Sequence, residues 1–235
     1  MKEKSVWENF KEEIMFKNRF LFNKSENVEK VNQLLEKCKF SSVMSYINNP
    51  SDRLYRVRPG IVNEVGMPPI GVTKDGRFNA CGISYFYCSE NIETCIFEAI
   101  KEPKIRDKFT IGEFSAKENE IIMDFYVTNS VQKYMPFFPR INSSEFMLLS
   151  EIIIDLSKGY DSSNSINYVP TQYIFEYINN YIDVKVDGLL YSSSFGTGKN
   201  YVFRSDDNFN LESIRHGEIV ECDIERRIVY YKIID

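Results

Sequence analysis

From Arg53 onward, runs with a period of two alternate with stretches of helical period, and this alternation restricts the fold more than any other feature of the chain. "RLYRVRP", "ISYFYCS", "KFTIGEFSA", "EIIMDFYV", "VDGLLYSSS", "NYVFRS" and the terminal "EIVECDIERRIVYYKII" carry the aromatic and β-branched residues that suit a pleated, half-buried surface. "NIETCIFEAIK", "SEFMLLSEIIIDLSK" and "VPTQYIFEYINNYI" instead repeat apolar residues every three or four positions. Ser89 is a candidate cap for the first of these helices, and Pro170 suits the first turn of the last. The pattern predicts an α+β domain with a mixed, mainly antiparallel sheet and helices laid over it. "KFTIGEFSA" and "EIIMDFYV" are expected to pair as a hairpin or to lie as neighbours.

The first 50 residues read differently. "SVWENFKEEIMF" spaces Trp7, Phe10 and Ile14 as one amphipathic stripe. "SENVEKVNQLLEKC" opens on Ser25 as an N-cap and places Val28, Val31, Leu35 and Cys38 on one face, before "YINNPSD" breaks the pattern. Residues 1–50 are therefore expected to form a helical extension packed on a main domain of residues 51–235, a division that suits a length of 235 residues. "PGIVNEVGMPPIGVTKDG" is a loop long enough to suggest a binding role, and "SKGYDSSNSINY" reads as a mobile surface loop.

Composition narrows the chemistry. The chain holds one histidine, His216 in "SIRHGE", which is expected in an exposed turn. Ser-His and Cys-His couples and His-rich metal clusters thus have almost no material, and catalysis must rely on carboxylate, Arg, Tyr and Ser. The five cysteines form no CxxC pair, and Cys88 and Cys95 read as small buried hydrophobes, so no metal site is expected. A net charge of -5 gives no global basic surface for nucleic acid. Reduced thiols, no signal peptide and no apolar run of membrane-spanning length point to a cytoplasmic protein.

Candidate site residues follow from local geometry. Arg56 and Arg58 stand at i and i+2 of a strand, so both guanidinium groups can serve one phosphate-binding pocket or one solvated face. Arg77 follows Gly76 in a turn that Asn79 can brace through its own backbone, at the mouth of a cleft or on an ordinary surface. Tyr85 and Tyr87 share a strand face, opposite Phe86, and suit either core packing or stacking on a heteroaromatic ring. Glu98 borders a helix face formed by Cys95, Ile96, Ala99 and Ile100, where a carboxylate needs an arginine or a ligand hydroxyl, or else reaches solvent. "DGLLYSSSFGTGKNYVF" places Ser and Gly after a strand, as an anion- or sugar-binding loop or a flexible turn; it lacks the spacing of a P-loop.

Taken in order, "LYRVRP", "GRFNACGISYFYCSENIETCIFE", "YVPTQYIFEYI" and "DGLLYSSSFGTGKNYVF" resemble the RES-domain family, over roughly two thirds of the chain from Arg53 to Phe203. The resemblance carries that family's arginine onto Arg56, its glutamate onto Glu98 and its serine onto Ser193, which Ser192 and Ser194 flank. Arg77 matches its Gly-Arg-aromatic-Asn turn, with Phe78 where many members have Trp, and Tyr87 matches the tyrosine eleven residues before the glutamate. The resemblance implies a fold like the ADP-ribosyltransferases of the diphtheria-toxin kind and NAD+ as substrate rather than cofactor. It also implies a toxin of a toxin–antitoxin pair, with an antitoxin as partner. On this basis Glu98 faces the ribose and Ser193 orients the ribose or amide. Arg56 with Arg58 or Arg77 grips the pyrophosphate, and Tyr87 stacks on nicotinamide. The implied activities are glycohydrolase or phosphorylase, or ADP-ribosyl transfer to a protein. Ile96, two residues before Glu98, stands where many transferases place a second acid and so favours small-molecule cleavage. An inactive nucleotide-binding scaffold is the reading from a different class.

Overall fold

The computed structural model describes residues 3–20, 25–39, 44–47, 52–126, 141–159, 162–195 and 198–234. Two helices open the chain, α1 (Val6–Phe16) and α2 (Glu26–Cys38). Ser5 caps α1 in a reciprocal box with Glu8, and Ser25 accepts the Val28 N–H at the start of α2. The expected stripes are buried, and Leu34 joins the α2 face. The first 50 residues are not helical throughout, however: Met44–Ile47 is a strand, β1.

β2 (Arg53–Pro59), β3 (Phe86–Ser89), β4 (Lys108–Ala116), β5 (Glu120–Asp124), β6 (Gly188–Ser192), β7 (Lys199–Phe203), β8 (Phe209–Asp223) and β9 (Ile228–Ile233) join β1 in one sheet of order β1-β5-β6-β7-β3-β2-β4-β8-β9. Only β5 and β6 run parallel; every other neighbouring pair is antiparallel. The fold is therefore the α+β arrangement expected from the alternation. Helix α3 (Ile92–Ile100) follows β3, and α4 (Ser143–Ser157) and α5 (Val169–Asn180) precede β6.

Three expectations are corrected here. β4 and β5 are neither a hairpin nor neighbours, because β4 lies between β2 and β8 while β5 lies between β1 and β6. His216 sits inside β8 opposite Thr110, with Nδ1 3.1 Å from the Thr110 hydroxyl, because the chain continues as a ladder where "RHGE" suggests a turn. Within "SKGYDSSNSINY", residues 162–168 form a 3-10 turn leading into α5, and Tyr160 and Asp161 lie outside the described residues.

Packing divides by sheet face. One apolar cluster joins α1, α2, α4 and α5 to Phe78, Met123, Leu189, Tyr191 and Val202, so the N-terminal helices share a continuous core with the sheet. A second covers the opposite face through Leu54, Phe86, Phe114, Ile122 and Phe203. The third seats α3 on β2, β4, β8 and β9 through Ile96, Phe97, Val57, Ile111, Ile219 and Val229. Trp7 Nε1, Lys11 and Lys158 all donate to the Asp155 carboxylate, which is 3% exposed and ties α1 to α4.

Candidate active site

The two central strands part company, and the parting creates the site. β2 keeps its full seven-residue register with β4 but pairs with β3 only through Tyr55 and Ser89. Beyond that pair the strands diverge and leave a cavity of about 400 Å³, lined by Arg56 and Arg58 on one side and Tyr87 and Cys88 on the other. Its volume lies within the range of about 300–1,000 Å³ usual for small-molecule sites. Arg77, Asn79, Glu98, Tyr191 and Asn200 complete the walls.

Arg56 spans the divergence. Its guanidinium donates 2.7 Å to the Tyr87 carbonyl, a backbone acceptor facing the gap, and sits 5.7 Å from the Phe86 ring centre. The residue is 8% exposed, and its Nε has no hydrogen-bond partner. Burial, followed by repulsion from Arg58, depresses its pKa to about 10, which leaves it cationic at neutral pH. Arg58 is likewise lowered by burial and donates 2.9 Å to the Gly66 carbonyl.

The Gly-Arg turn forms the opposite wall and is braced from α5. Gln172 donates to the carbonyls of Gly76 and Asn79, each at 2.9 Å, and the Thr171 hydroxyl donates to the Arg77 carbonyl. A Cβ at Gly76 would lie 2.3 Å from Asn79 Oδ1, so the tight approach of this turn requires glycine. Asn79 Nδ2 donates to the Lys74 and Ala80 carbonyls, and its Oδ1 accepts the Tyr87 hydroxyl at 2.9 Å. That hydroxyl also accepts the Phe78 N–H at 3.1 Å, so it holds the turn while the Tyr87 ring lines the cavity. Burial pushes its pKa up and keeps it protonated. Arg77, 8% exposed, lies 5.0 Å from the Tyr191 ring centre and donates 3.3 Å to Ser194 Oγ. Its Nε and one terminal nitrogen are buried without partners.

Glu98 projects from α3, whose buried residues are Cys95, Ile96 and Phe97. The helix is capped by Asn91, whose Oδ1 accepts the Thr94 N–H; Ser89 is still in its strand and donates to the Lys199 carbonyl. No arginine pairs with Glu98 among the described residues. Its Oε1 accepts Ser193 Oγ at 2.8 Å and Asn200 Nδ2 at 2.5 Å. Both donors meet the same oxygen, and no described residue donates to Oε2. Ser193 Oγ in turn accepts the Phe195 N–H at 3.0 Å. Of the three adjacent serines, then, Ser193 meets the carboxylate and Ser194 meets Arg77.

Arg56, Arg58, Arg77, Asn79, Tyr87 and Glu98 thus line one cavity, and Ser193 reaches it through Glu98. Sequence reasoning missed Asn200, Tyr191 and the Thr171-Gln172 brace. The signals were a polar Asn inside "NYVF" and the polar Thr-Gln pair within an otherwise apolar helix start. Among the described residues, no group of three or more His, Cys, Asp or Glu side chains is placed to hold a metal ion. Nor is any of their helices long and apolar enough to cross a membrane.

No curated protein matches the chain. A chain of the M. tuberculosis MbcT-MbcA toxin-antitoxin complex is similar at a TM-score of 0.42 and 13% identity, covering 77% of this chain and 90% of that one. The RES domain family model matches residues 53–224, which hold every strand from β2 to β8 and all of the cavity-lining residues. This protein belongs to the RES domain family.

Proposed function

We propose that the chain cleaves the bond between nicotinamide and ribose in NAD+, as the toxin of a toxin–antitoxin pair. The observation that carries the reading is the Glu98 carboxylate, fixed by Ser193 and Asn200, facing three arginines around one cavity that Asp75 also lines, with no carboxylate paired to any of the three among the described residues. Unneutralised buried guanidinium groups favour a bound anion, and a pyrophosphate offers oxygens that their paired donors can grip.

The reaction breaks the C–N bond at the anomeric carbon, and the bonding pair leaves with the nicotinamide ring nitrogen. The ribose then resembles an oxocarbenium ion, and a fixed carboxylate interacts more strongly as that positive charge develops. Ser193 and Asn200 hold Oε1, which leaves Oε2 for the ribose hydroxyls and the cation. Water or phosphate adds to the anomeric carbon, and one proton is released. Nicotinamide leaves neutral, so the single histidine, which lies in β8 and does not line the cavity, is not required. Ile96 is fully buried, which supplies no second acid beside Glu98 for activating a protein acceptor and favours a small acceptor.

Purified protein incubated with NAD+ is expected to release nicotinamide, and mass spectrometry with and without phosphate identifies the second product. Glu98→Gln should retain the fold and lower kcat by at least about 100-fold. Absence of nicotinamide release at any phosphate concentration would refute the proposal, and ADP-ribose on a co-purified protein would redirect it to transfer.

A further inference from the structure

The turn between β8 and β9 ends on Arg227, beyond the family-matched residues 53–224. Its backbone is in the left-handed region, with φ at 57°, where glycine meets no steric cost, asparagine a reduced one and other side chains the full one. An arginine at such a position calls for a reason in its side chain. The guanidinium donates to the Ser194 carbonyl and lies 5.7 Å from the Phe195 ring centre. Phe195 in turn stacks on Phe97 at 6.2 Å and 19°, next to Glu98 on α3. The same short segment presents Ser193 Oγ to Glu98 and Ser194 Oγ to Arg77.

We propose that Arg227 is a positioning residue of the site, pinning the serine segment from behind so that Ser193 keeps its bond to Glu98. Its effect on turnover rests on the NAD+ reading; its effect on the order of the segment rests on geometry alone. A guanidinium suits the task because it bonds a carbonyl and lies against an aromatic ring at once.

The test compares wild type with Arg227→Gly and Arg227→Asn, both of which relieve the backbone. Each variant should melt at or above the wild-type temperature while kcat for nicotinamide release falls about fivefold, the scale of one net hydrogen bond in a solvent-exposed setting. Hydrogen exchange at the amides of residues 193–195 should accelerate by a similar factor. Arg227→Lys, which keeps the charge and an ammonium donor but loses the planar fork, should fall between. Unchanged exchange overturns the proposal whatever the activity, and so does faster exchange with unchanged kcat. Melting below wild type in both relieved variants also overturns it, since Arg227 would then serve folding. If wild type releases no nicotinamide, the NAD+ reading fails and exchange alone decides the role of Arg227.

Discussion

Replacing Arg56 by methionine separates what the site needs from what the fold needs. The guanidinium is buried with no carboxylate beside it among the described residues, and one of its N–H groups bonds nothing. Its depression from 12.5 to about 10 corresponds to roughly 3 kcal/mol against the charged form in the folded state. Methionine keeps an unbranched apolar stem and removes the charge. It also strips the Tyr87 carbonyl of its donor, a loss of about 1–2 kcal/mol. The charge term is the larger, so Arg56→Met should stabilise the protein by about 1–2 kcal/mol and raise Tm by about 4 °C in a chain of this size. Dinucleotide binding should vanish at the same time. Scanning calorimetry with and without a non-cleavable NAD+ analogue reads both effects: the analogue raises Tm for wild type and not for the variant. If the variant melts clearly below wild type, the buried cation is holding the fold together, and the inference that it is kept for an anionic ligand is refuted.

Further outcomes follow from the same contacts. Ser193→Ala and Asn200→Ala should each lower kcat about fivefold, and the double variant should lose more than the product, because either donor alone still orients Glu98 Oε1. A strictly multiplicative loss would refute shared orientation. Burial raises the Asp155 carboxyl, but hydrogen bonds from Lys11, Lys158 and Trp7 outweigh it and leave the group below its ordinary 3.8. Stability from Asp155 is therefore present above pH 3.8 and is lost as pH falls through the lower folded value. Asp155→Asn should cost about 2 kcal/mol at pH 7 and flatten the acid side of the stability profile, as denaturant unfolding between pH 2 and 7 would measure.

Much of the fold was legible because helix caps and side-chain periods act between near neighbours. The Ser25 cap and the stripe of Trp7, Phe10 and Ile14 needed no tertiary information, and the pair Arg56 and Arg58 already implied a shared strand face. The errors arose where a distant strand decides. Met44–Ile47 is too short to announce itself, and it is a strand because β5 is there to pair with it. His216 continues a ladder because β4 lies alongside. Ser89 lost the cap to Asn91 because β7 draws the Ser89 hydroxyl to the Lys199 carbonyl.

The residue types of the site, and their order along the chain, are properties of the sequence, and they suffice to suggest a carboxylate and arginines acting on one anionic substrate. The site itself depends on chain segments far apart. Its cavity exists because β2 stays paired to β4 while leaving β3 after a single residue pair. Its carboxylate is aimed by Asn200, which β7 brings to Glu98 from 102 positions away. Local patterning cannot encode either event, since both depend on which strands become neighbours, and that is settled only when the whole sheet closes over its core.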